Sequence, residues 1–85
     1  MISGQGSRTI EVTYIRYRVK GHEVIFSVEQ NGIEVAYAQD ISSYLNRDGK
    51  VDRKKIEQAI MVSKLSGAFI LEVDNKTNKV IRVIR

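Results

Sequence analysis

The stretch Tyr14–Ala38, YIRYRVKGHEVIFSVEQNGIEVAYA, decides how this chain is read. Two tight turns punctuate it. Gly21-His22 puts glycine where a type II′ turn needs a positive φ, and Asn31-Gly32 is a type I′ signal. Each turn fixes a register. The first hairpin sets Val19 opposite Val24, Tyr17 opposite Phe26 and Ile15 opposite Val28. The second sets Val28 opposite Val35 and Phe26 opposite Tyr37. Side chains alternate along a strand with period 2, so all of these fall on one face. Turn chemistry and hydrophobic pattern agree independently on a three-stranded antiparallel meander. Its other face carries Arg16 and Arg18 at one side and Glu29 and Glu34 at the other. Those two glutamates are directly opposed, which is destabilising unless a cation lies nearby.

Upstream, Arg8–Lys20 reads as one long strand that changes phase. Ile10, Val12 and Tyr14 alternate on even numbers, whereas Ile15, Tyr17 and Val19 alternate on odd ones. One extra residue near Tyr14-Ile15, a β-bulge, explains the switch. Alternatively, residues 9–13 pair elsewhere, with the C-terminal strand or a second subunit. Residues 1–7 are small, polar and glycine-bearing, and are expected to be a flexible segment ahead of a single domain over 8–85.

Downstream, Asp40 caps a short helix in which Ile41, Tyr44 and Leu45 form an apolar stripe. Residues 46–50 make a turn. Asp52 starts a second helix, with Val51 and Ile56 at hydrophobic-staple spacing. Ile56, Ala59, Ile60 and Ser63 line its buried face, Met61 and Leu65 widen it, and Gly67 ends it. Ala68–Val73 and Val80–Ile84 are strands joined by a turn with Asn78 in the left-handed region. The order β-β-β-α-α-β-β predicts an α+β domain: a two-layer arrangement in which two helices cover one face of a five-stranded antiparallel sheet.

Composition narrows the function. The 85-residue chain contains no cysteine and no proline and has a net charge of +4. Thiolate metal sites and disulfides are excluded. It has neither an apolar run of about 18 residues nor a basic segment followed by an apolar one, so a cytoplasmic protein that does not enter membranes is expected. The charge is segregated: residues 8–20 carry +3, 21–46 carry −4, 47–64 carry +3, 65–75 carry −2 and 76–85 carry +4.

No catalytic constellation emerges, and no enzyme or cofactor is expected. His22 is the sole histidine and reads as a solvated turn residue. Residues 46–52 resemble the middle of a calcium loop, with Asn46, Asp48 and Asp52 at ligand spacing around Gly49. Tyr44 falls at the first ligand position, however, and Lys55 where the bidentate glutamate belongs, so no metal is expected there. Glu29 and Glu34 lack the cleft that an acid–base pair requires.

The remaining signal is basic. Arg16, Arg18 and Arg82 lie on strands, and Arg53, Lys54 and Lys55 on the second helix. If the fifth strand neighbours the first, Arg82 joins Arg16 and Arg18 in one stripe suited to phosphates. The expectation is a small basic binding protein that takes nucleic acid through these six residues. The alternative is a protein-interaction or inhibitor module, or a homodimer, acting through a sheet edge or apolar residues such as Ile25 and Ile84. The position of the acidic block between His22 and Asp40 discriminates: on the same surface as the arginines it favours a protein partner, on the opposite surface a nucleic acid.

Overall fold

The computed structural model describes residues 6–84. Five strands form a closed barrel in the order β1-β2-β3-β5-β4. β1 is Ser7–Lys20, β2 Glu23–Gln30, β3 Ile33–Asp40, β4 Phe69–Asp74 and β5 Val80–Ile84. A single 3-10 turn, Ile41–Tyr44, and one helix, α1 (Arg53–Ser66), lie between β3 and β4.

The meander forms as its turns dictate. Asn31 and Gly32 both have positive φ, 55° and 82°, as a type I′ turn requires, and Gly21 has φ 60°. Val19 pairs with Val24, Tyr17 with Phe26, Val28 with Val35 and Phe26 with Tyr37. The expected pairing of Ile15 with Val28 is corrected: Val28 faces Tyr14, and the register shifts between Tyr14 and Arg16.

That shift is the bulge inferred from the phase change, and it closes the molecule. After it, β1 pairs with β2; before it, Ser7–Val12 pairs with β4, with Ile10 opposite Leu71 and Val12 opposite Phe69. A bulge bends and twists its strand, so one strand can serve two ladders that face different ways. β5 then pairs with β4 and touches β3 in parallel at Gln39–Val80. The open two-layer sheet with two helices on one face is therefore corrected to a closed barrel with one helix. Of the expected loose segment, residues 1–5 lie outside the described residues, while Ser7 opens β1 opposite Asp74.

The expected first helix is a single 3-10 turn. Asp40 caps it by accepting from the Ser42 N–H, and Ile41 and Tyr44 are buried as the stripe implies. Leu45 leaves it in an extended conformation and bridges to Val51, pinching off the 46–50 loop. In α1 the Asp52 carboxylate accepts from the Lys54 N–H, and Ile56 and Ile60 are fully buried. Met61, expected on the buried face, is half exposed. The side chains of Ser63 and Leu65 lie outside the described residues.

The core is the barrel interior, where Val24, Phe26 and Val28 of β2 meet Leu71 and Val73 of β4. α1 packs on β1, β4 and the 3-10 turn, beside the half of β1 that β4 leaves uncovered. Interior polar groups are paired: Gln39 accepts from the Tyr44 hydroxyl and donates to the Ile81 carbonyl. Burial pushes the Tyr44 hydroxyl up to about 12, so it stays protonated and donating.

Ile60→Ala should lower unfolding free energy by about 2–5 kcal/mol, because a fully buried branched side chain leaves a cavity the barrel cannot collapse. Urea denaturation measures this. A loss below about 1 kcal/mol would mean that α1 does not belong to the core.

Candidate nucleic-acid interface

After the bulge, period-2 alternation sends Arg16, Arg18 and Lys20 to the outside of β1. Cross-strand pairing extends each into a row. Arg16 leads to Ser27 and Ala36, Arg18 to Ile25 and Ala38, and Lys20 to Glu23 and Asp40. The result is a floor of Ser27, Ala36, Ile25 and Ala38 bordered along β1 by three exposed cations. Among the described residues, no carboxylate lies within ion-pairing distance of Arg18 or Lys20.

Acidic groups hold both ends of this floor. At one end Glu29 opposes Glu34, and the Arg16 guanidinium lies 3.4 Å from the Glu34 carboxylate. This is the cation that the like-charged pair requires. Both side chains are more than half exposed, so the contact is weak. At the other end Lys79, from the loop between β4 and β5, sits 2.7 Å from Glu23. That bridge holds the β4–β5 loop against the start of β2. The Ser42 N–H, with Lys79 and His22 nearby, holds the Asp40 carboxyl below its usual range. Glu23 raises the Lys79 ammonium above its own. The acidic block and the arginines thus share one surface.

The structure divides the six expected contacts. Arg16 and Arg18 stand together. Arg53 and Lys54 are exposed on the first turn of α1, which the Tyr17 hydroxyl ties to β1 by donating to Glu57. Lys55 is spoken for, since its ammonium donates to the Leu45 carbonyl. Arg82 does not join the stripe. β4 separates β5 from β1, and Arg82 lies 2.6 Å from Glu72 in the row that begins at Thr9. The Ser7 hydroxyl, helped by Arg82, holds Glu72 below its usual range. Lys20 was legible as the next residue of the Arg16, Arg18 alternation. Lys79 was not, because only barrel closure brings it to Glu23.

The other candidates resolve into structural roles. His22 is exposed, and its carbonyl accepts from the Ile41 N–H. In the calcium-like loop, the Asn46 side-chain oxygen accepts from the N–H groups of Asp48 and Lys50, while Asp52 caps α1. Arg8 donates to the side-chain oxygens of Asn75 and Asn78 and braces the β4–β5 loop. An open depression of about 260 Å³ lies under the β2–β3 turn. It is lined by Glu11, Val12, Thr13, Glu29, Asn31, Gly32 and Ala68, and its two carboxylates disfavour an anion.

No family model, curated protein or solved structure matches this chain.

Asp40, Glu72 and Asp74 all have carboxyls held below their ordinary range, Asp74 by the N–H groups of Thr77 and Lys76. A depressed folded-state pKa adds stability that is present above the unfolded value, near 4. That stability is lost as pH falls through the folded value. The thermal midpoint should therefore hold steady from neutral pH to about pH 5 and fall below about pH 4, with a shallower fall in Asp74→Asn. Identical acid limbs for the two proteins would remove Asp74 from this account.

Proposed function

We propose that this protein is a small non-enzymatic binding module that takes single-stranded nucleic acid across the outer face of β1–β2–β3. The observation that carries the reading is the line Arg16, Arg18, Lys20 bordering a floor of Ser27, Ile25, Ala36 and Ala38. Guanidinium and ammonium groups neutralise phosphates, and an arginine plane can stack on an unpaired base. The architecture adds support by analogy. Small five-stranded barrels of the OB type receive oligonucleotides on the face of their second and third strands, between the β1–β2 and β4–β5 loops. Here the Lys79–Glu23 bridge holds the β4–β5 loop against the start of β2, next to the β1–β2 turn, at one end of the floor.

The test is fluorescence anisotropy with a labelled single-stranded oligonucleotide, titrated from low to physiological salt. Three phosphate contacts imply a slope of log K against log salt near −2, at about −0.7 per contact. Arg18→Ala should weaken binding for all sequences and reduce the steepness by about 0.7. Arg82→Ala should leave binding unchanged. An absence of binding at low salt would rule this function out.

The acidic block shares the surface of the arginines, and by the criterion drawn from the sequence this favours a second reading, recognition of a protein. Glu23, Glu29, Glu34 and Asp40 share the surface with the arginines, and such a mixed field suits a partner with both signs of charge better than a polyanion. A complex that forms with protein and ignores oligonucleotide would select it.

A further inference from the structure

We propose that two copies of this chain associate through the free edge of β3. Residues Ile33–Tyr37 of one copy pair antiparallel with the same residues of the other, across a two-fold axis at Val35. β2 occupies one edge of β3 along its whole length. On the other edge β5 pairs only at Gln39–Val80. The two strands run parallel, so β5 continues from Val80 past the end of β3, and among the described residues no strand beyond β2 lies beside Ile33–Tyr37. A two-residue turn closes on a hydrogen-bonded pair, here Gln30 and Ile33. Ladder alternation then turns the N–H and C=O groups of Ile33, Val35 and Tyr37 toward β2, and those of Glu34 and Ala36 outward.

Proteins normally protect such an edge with proline, lysine or a bulge. β3 contains no proline, lysine or arginine, its register against β2 is continuous, and Glu34 is the one charged residue within Ile33–Tyr37. Ile33 at its start is 65% exposed.

The second copy is the occupant because the strand complements itself in this one register. On the inner side Ile33 meets Tyr37 of the second copy, and Val35 meets Val35. On the outer side Glu34 meets Ala36. An axis at Glu34 would oppose two carboxylates, which is destabilising. An axis at Ala36 would drive the β2–β3 turn of one copy against β5 of the other. In this register each Glu34 faces Ala36 rather than the other Glu34, and Arg16 of its own copy lies 3.4 Å away. The pairing would fuse two three-stranded faces into one six-stranded surface. It does not depend on what that surface binds.

The chain has no cysteine, so Val35→Cys can link only to another copy. In this register the two Val35 Cα atoms lie about 4.5 Å apart, within disulfide reach. Val35→Cys should oxidise to a linked dimer, while Ala36→Cys, whose copies sit more than about 7 Å apart, should stay monomeric. So short a contact makes a weak dimer, so sedimentation equilibrium of the unaltered chain is followed up to about 1 mM. It should show monomer–dimer exchange, and Ile33→Lys should shift this toward monomer. Monomer at every concentration, equal crosslinking of the two cysteine variants, or a dimer indifferent to Ile33→Lys would each overturn the proposal.

Discussion

Everything in this fold depends on β1 serving two ladders. A strand of 14 residues with one phase cannot face β2 and β4 at once around a small barrel. The register shift between Tyr14 and Arg16 lets its first half turn toward β4 and its second half toward β2. The interior follows from that turn. Val12 before the shift and Tyr17 after it both point inward, although their numbers differ in parity.

The same shift places the candidate interface. It moves Arg16, Arg18 and Lys20 onto the outside of the half of β1 that pairs with the meander. It also leaves β4 short of that half, and α1 fills the space with Ile56 and Ile60 turned inward. The helix thus stands in for a strand, and the Tyr17–Glu57 contact marks where the two meet. Barrel closure brings the β4–β5 loop to Glu23, so the floor between the cations and the acidic ends is set by strand order rather than by any local motif.

The errors of the sequence reading have identifiable causes. Residues 41–45 have helical spacing, but a single turn of Ile, Ser, Ser and Tyr is satisfied just as well by a 3-10 turn, and Leu45 gains more by bridging to Val51. The pairing of Ile15 with Val28 failed because alternation alone cannot say which residue of a bulge is the extra one. The condition for Arg82 to join Arg16 and Arg18, a fifth strand beside the first, is not met, because the partner of a fifth strand is a long-range choice. Arg82 pairs with Glu72, two strands away from Arg18 in barrel order.

By itself the sequence determined the local structure. The positive-φ turns at Gly21 and Asn31-Gly32, the phase change near Tyr14, the Asp40 and Asp52 caps and the left-handed Asn78 are all encoded within a few residues, because turn and cap energetics are local. The cross-strand neighbours of the meander follow from those turns. Only the tertiary structure decided that the sheet closes, which cations stand together and which edge stays open. Those outcomes depend on contacts between segments far apart in the chain, such as Ile10 with Leu71 and Gln39 with Val80. No local preference distinguishes an open sheet from a closed one when both bury the same alternating face.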